Sequence, residues 1–277
     1  MKPSLICGLV MLAVIVAEPA GAGRVAVAAY PSSMVVLGAD AAAGRGSDPA
    51  HPYRDAPANS WATGTTSAVN SIYERLLAVD PAIRGHNFNI ARDEAGVADF
   101  AGQVARAVRL IPKPQLVLVE IGGDVVCDGR DDSRVTQFGT DFGAALGKLA
   151  QGLPNARILV VAQAGPSPSY VKYMRGLPTS AWLKHAGKGP CQIVLSPTGE
   201  IEPSHVAYIN KVIDGYNAEM AAACRRTPNC HYDGGASGRM NLTAADFSID
   251  QFHLAIPGQA KLAATEWASI AGFVKGL

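Results

Sequence analysis

Four short runs, at residues 34–37, 87–90, 115–121 and 157–162, read as strands buried on both faces, three of them built mostly from Val, Ile and Leu and 87–90 carrying Phe88 and Ile90. Between them the apolar spacing changes to three and four. Val69, Ile72, Tyr73, Leu76 and Leu77 predict a helix over 67–79, and Val97, Phe100, Val104 and Val108 predict another over 97–110. The same pattern predicts helices over 138–149 and 206–224, and an amphipathic run over 256–277 closes the chain. Strands that alternate with helices imply an α/β fold, a three-layer α/β/α sandwich around a central parallel sheet. Pro112, Pro114 and Pro154 stand where helices must stop before the next strand. Residues 165–203, rich in Pro, Gly and Ser, read as a long excursion over one end of the sheet. No break in composition calls for a second domain. Ligands of open parallel sheets lie at the carboxyl ends of the strands, and the chemistry is expected there.

The amino terminus changes the boundaries. Lys2, an apolar run over 5–17 and Ala20-Gly21-Ala22 have the three parts of a secretory signal, so residues 1–22 are expected to be removed, leaving a domain over 33–277. The apolar run is shorter than the roughly 20 residues of a spanning helix. A secreted or periplasmic protein with no membrane span is expected. Four cysteines then remain, Cys127, Cys191, Cys224 and Cys230, an even number in an exported chain. Three pairings are open; Cys224 with Cys230 closes a short loop around Pro228 and leaves Cys127 with Cys191. No CxxC pair supports zinc instead. A formal charge of +1 and the lack of any Lys/Arg block argue against nucleic acid or an anionic membrane as partner. His51, His86, His185, His205 and His231 have no metal-ligand spacing and read as structural. Trp61 and Trp182 are read as cleft-lining and Trp267 as core.

The chemistry centres on Asp250-Gln251-Phe252-His253, which sets a carboxylate three residues before an imidazole, a spacing that lets the acid orient a base. Opposite it stand the strand exits: Gly38-Ala39-Asp40, Arg92-Asp93-Glu94-Ala95 and Gly122-Gly123-Asp124-Val125-Val126-Cys127. This order resembles the SGNH, or GDSL-type, hydrolases, which carry a nucleophile after the first strand, a Gly after the second, an Asn after the third and a late DxxH. Asn59-Ser60-Trp61-Ala62-Thr63-Gly64, residues 86–91 and residues 250–260 extend the resemblance to an exported bacterial esterase-like subgroup. It implies ester hydrolysis by an activated Ser, with the Gly amide and the Asn side chain holding the oxyanion. In this chain the Ser position is Asp40, the Gly position Glu94 and the Asn position Asp124; Asp250 and His253 match. Gly96, two residues beyond Glu94, offers an alternative amide if the turn is shifted.

An Asp at position 40 forms no ordinary acyl-serine, and a carboxylate at 124 repels an oxyanion. The resemblance therefore implies an esterase- or lipase-like chain that has lost serine-esterase catalysis while keeping a cleft for a small-molecule ester, lipid or glycan. A monomer without cofactor is expected. Two alternatives use the acidic replacements. Asp40, Glu94 and Asp124, converging beside His253, would form a divalent-metal site. Otherwise Asp40 would attack an alkyl carbon, and His253, held by Asp250, would activate water to hydrolyse the ester. Asp93 is read as solvent-facing.

Overall fold

The computed structural model describes residues 30–123, 129–176 and 201–275. The expected signal, Asp124, the proposed Cys127–Cys191 pair, Trp182 and His185 lie outside them. Five strands form one parallel sheet: β1 (Met34–Gly38), β2 (Asn87–Asn89), β3 (Leu116–Glu120), β4 (Arg157–Val160) and β5 (Cys230–Tyr232), in the order β2-β1-β3-β4-β5. Alternation along the strands sorts their side chains into two cores. Val35, Leu37, Val117, Val119, Ile158 and Val160 point to one face, where α3 (Val97–Ala107), α4 (Asp131–Gly152) and α6 (Pro203–Arg225) cover them. Met34, Val36, Leu116, Leu118 and Leu159 point to the other, covered by α1 (Asp40–Ala43), α2 (Ile72–Val79) and α7 (Ile256–Val274). Both faces of the inner strands are thus apolar and covered, giving the expected three layers. In the first core Phe142 stacks on Phe100 at 5.2 Å and on Phe138 at 5.4 Å, and the edge of Tyr216 meets Phe138 at 4.9 Å.

Several boundaries differ from the periodicity, each for a local reason. The helix expected over 67–79 begins at Ile72, because Ser71 builds a capping box: its Oγ accepts from Glu74 N–H and the Glu74 carboxylate accepts from Ser71 N–H, both at 3.1 Å. α4 starts upstream of the apolar stripe that betrayed it, since residues 131–137 are largely polar. Within 165–203 a short helix, α5 (Pro168–Arg175), is capped by Ser167, whose Oγ accepts from Tyr170 N–H at 3.1 Å. β5 was missed because three half-buried residues, Cys230, His231 and Tyr232, carry little apolar signal. Cys224, at the end of α6, is bonded to Cys230, tying that edge strand to its preceding helix as expected. Trp61 does not line a cleft; it is fully buried in the second core. Trp267 packs against that core.

The carboxyl end of β1 needs help because β2 pairs only as far as Val36. Buried Gln103 of α3 supplies it, its Oε1 accepting from Gly38 N–H at 2.7 Å and its Nε2 donating to Gly38 C=O at 3.0 Å. Gly38 itself lies so close to β3 that an added Cβ would sit 2.6 Å from the carbonyl oxygen of Glu120. The ends of β1 and β3 and helix α3 are thereby held in one frame before any site residue is placed.

A candidate active site of carboxylates around one imidazolium

Asp40 begins α1 directly after β1, so the strand end fixes its position. One of its oxygens, Oδ1, accepts from the backbone N–H of Glu94 at 2.8 Å; the other, Oδ2, faces His253 Nε2 at 3.5 Å. His253 lies in the turn ahead of α7. Asp250 organises that turn, with Oδ1 accepting from the N–H groups of Phe252 and His253, both at 3.0 Å, while Oδ2 accepts from His253 Nδ1 at 2.7 Å. Asp250 thus both shapes the loop and orients the ring, leaving Nε2 turned toward Asp40. Gly46 carries the neighbouring loop past the ring: its φ is 74°, and an added Cβ would lie 2.7 Å from the Cβ of His253.

The second strand exit departs from the expectation. Glu94 was placed beside Asp40 and His253, but its side chain is exposed, and Asp93, read as solvent-facing, takes that place. Asp93 Oδ1 lies 3.9 Å from His253 Nε2, and its other oxygen pairs with Arg45 at 3.0 Å. The reason is backbone conformation. Glu94 has φ 57°, a left-handed setting that turns its N–H, rather than its side chain, toward Asp40. The alternative amide, that of Gly96, is used elsewhere: it donates to Asp99 Oδ2 at 3.2 Å and caps α3. A position suited to Gly therefore holds Glu under strain. Glu94→Gly is expected to raise stability by about 1 kcal/mol, the left-handed penalty less the extra freedom of Gly in the unfolded chain. Thermal unfolding checks this, and a lower melting temperature would refute the strain.

The third exit is pinned from β4. Gln163 accepts from Gly123 N–H at 2.8 Å and donates to Gly123 C=O at 2.9 Å, while Asn217 of α6 brackets the Gln163 backbone. Asp124 follows immediately, outside the described residues.

Charge decides the chemistry. Burial lowers the pKa of His253, but the ring's hydrogen bond to Asp250 and its closeness to Asp40, with both their charges, outweigh burial and lift it to about 9. Burial raises Asp250, yet its bonds to His253 and two backbone amides bring it down to about 2. Asp40 is likewise lowered despite burial, by His253 and the Glu94 amide. Asp93 rises to about 6 through burial and its closeness to Asp40, with Arg45 and His253 opposing. At neutral pH the ring is an imidazolium between carboxylates. Beneath them Glu120, at the end of β3, accepts from Ala42 N–H at 2.8 Å and is pushed up to about 8 by burial and by the charge of Asp40.

Arg45 and Glu120 had no visible signal in the sequence, and Asp93, although part of the second strand exit, reads there as solvent-facing; each earns its place only through packing. Among the described residues, Asp40, Asp93 and His253 each bring one possible ligand atom within 4.8 Å of the others. A divalent ion would have to displace the ring proton and compete with Arg45, which already supply the positive charge there. A cavity of about 510 Å³, lined in part by Asp48, His51, Arg54, Asp55, Asn59 and Ile256, borders the site. It meets the site through Asp55, which faces Arg45 at 3.7 Å.

No protein-family model matches the chain, and no curated protein matches it. Among solved structures, TesA superimposes with a TM-score of 0.50 at 16% identity, over 87% of this chain and 99% of that one. An extracellular lipase from Streptomyces rimosus gives 0.48 at 16% identity, over 86% of this chain and 99% of that one. A GDSL-like lipase from Parabacteroides merdae gives 0.48 at 14% identity, over 88% and 98%. At such identity the superposition on TesA establishes a shared fold, the parallel three-layer sandwich described above.

Proposed function

We propose that this chain is an exported protein of the GDSL/SGNH hydrolase lineage that keeps the strand-end cleft of an ester hydrolase and has lost serine-esterase catalysis. One observation carries the reading: the carboxylate of Asp40, the residue to which the resemblance assigns the nucleophile position, has Oδ1 already on the Glu94 amide and Oδ2 against the His253 ring. The donor that the resemblance assigns to a developing oxyanion is filled by the protein's own anion. The base is filled too, because an imidazolium takes no proton from a hydroxyl. The signal-like pattern of residues 1–22 and the Cys224–Cys230 bond support export, and no helix of the described residues is long and apolar enough to cross a membrane. A small ester, lipid or glycan fits a cleft of this kind.

The proposal is checked with short-chain nitrophenyl esters, from below the range of Asp93, about 6, to above that of His253, about 9. The expected result is release no faster than that of a His253→Ala variant. Turnover that disappears in His253→Ala would sink it.

A further inference from the structure

The two oxygens of Asp40 do different things. Oδ1 is held by a backbone donor, whereas Oδ2 accepts no backbone hydrogen bond among the described residues and lies 3.5 Å from Nε2 of an oriented imidazole. That gap exceeds the roughly 2.8 Å of a formed charge-assisted hydrogen bond, so the Nε2 proton can reach a second acceptor. The side chain is 33% exposed, open to a ligand. Beside it the turn presents Ile249 and Phe252, both exposed, with the Phe252 ring edge-on to His253 at 5.1 Å. An anchored carboxylate, a proton donor facing its free oxygen and an apolar flank together describe a site for opening a strained ether.

We propose that Asp40 is a nucleophile toward aryl or alkyl epoxides, with His253 acting first as acid and then as base. The inference rests on the reading that Asp40 has replaced serine chemistry at this position. In the first step an Oδ2 lone pair attacks an epoxide carbon, and the carbon–oxygen bond breaks. The departing oxygen takes the Nε2 proton, leaving a hydroxyalkyl ester on Asp40 and a neutral imidazole. In the second step that imidazole, still held by Asp250, takes a proton from water. The hydroxide attacks the ester carbonyl carbon while the Glu94 amide holds the oxyanion on Oδ1. Collapse expels the diol oxygen, which is protonated from His253, and the proton left on the new Asp40 carboxyl then passes to the ring, restoring carboxylate and imidazolium. The sum is epoxide plus water giving diol, with one oxygen of Asp40 replaced by that of water.

The acidic surroundings select the substrate. The charge of Asp93 disfavours the release of a free halide next to Asp40, but an epoxide oxygen leaves protonated and still attached to the product. Esterification also removes the charge of Asp40, one of the two partners that keep His253 protonated, so the ring becomes a base when a base is required.

The test incubates the full protein with styrene oxide in heavy-oxygen water and analyses both diol and peptides by mass spectrometry. Heavy oxygen is expected in the peptide that carries Asp40, increasing with turnover. His253→Gln, checked for folding by circular dichroism, is expected to lower enzymatic diol formation about 100-fold or more. Diol formed only at the buffer rate, with no heavy oxygen in that peptide, would overturn the inference, and the wild-type measurement stands even if the variant fails to fold. Ester turnover by the wild type would instead overturn the reading of the preceding subsection, so the two failures are distinguishable.

Discussion

Ester hydrolysis is expected to appear, at least about 1,000-fold above the wild-type protein, when Asp40→Ser, Glu94→Gly and Asp124→Asn are combined in one chain. The physical argument starts with His253. With Asp40 replaced, the ring loses one of its two closest anionic partners, and its pKa falls from about 9 toward the range in which a neutral base exists at working pH. The Glu94 amide, now occupied by Asp40 at 2.8 Å, becomes free to receive an oxyanion. Gly at position 94 adopts the left-handed φ without strain, so the amide keeps its aim. The exchange at 124 follows from the sequence pattern and replaces an acceptor by a donor.

Groups of this kind act as a unit, so Asp40→Ser alone is expected to yield little. Initial rates with nitrophenyl esters, compared among the single and triple variants, provide the measurement. A triple variant that folds and shows no gain would mean that the cleft no longer accepts an ester.

Glu266→Gln is expected to flatten the dependence of stability on pH. Glu266 lies on the inner face of α7, fully buried, and its Oε1 has no partner among the described residues' donors. Burial first, and then the charge and close carboxyl of Asp233, lift its pKa from 4.5 to about 8. A proton between the two acids satisfies the otherwise orphaned oxygen. Because the folded pKa is the higher one, the folded chain binds more protons than the unfolded chain between those values. Stability is therefore full below about 4.5 and is lost as pH rises toward about 8. At about 1.4 kcal/mol per unit, the loss across the window is on the order of 5 kcal/mol.

Asp233 anchors the chain after β5, accepting from Gly235 N–H at 2.8 Å and Ser237 N–H at 3.2 Å, so loosening this contact frees α7 from the sheet. Gln donates a permanent hydrogen bond in place of the shared proton. Melting temperatures of the wild type are expected to fall from acidic to mildly alkaline pH, and those of Glu266→Gln to fall less steeply, the remaining slope coming from Glu120, which is also raised to about 8. Parallel curves for the two proteins would show that Glu266 does not carry a shared proton.

Much of the fold was legible because its signals are local. Val35, Leu37, Val117 and Val119 reveal buried strands whatever surrounds them, and the spacing of Phe100 and Val104 reveals a helix face. The start of α2 was not legible, because it is set by the capping box of Ser71 and Glu74 and not by the apolar spacing. Where the signal was weak, as in the half-buried β5, periodicity had nothing to report. The site followed the same division. Asp250 and His253 were legible because their contact is made within one turn, at 2.7 Å. The exchange of Asp93 for Glu94 was not, since which of two adjacent acids faces inward depends on one backbone angle and on Arg45, brought from another loop.

The sequence by itself determined the alternation of strands and helices, the order of the strand exits and the residue types at each of them, because these are properties of neighbours along the chain. Tertiary structure alone decided that Asp40 divides its oxygens between an amide and a ring, that Asp93 and Glu120 join it, and that the ring is charged. Protonation depends on distances of a few ångströms between groups far apart in sequence, and burial strengthens each of those interactions; no pattern along the chain encodes either.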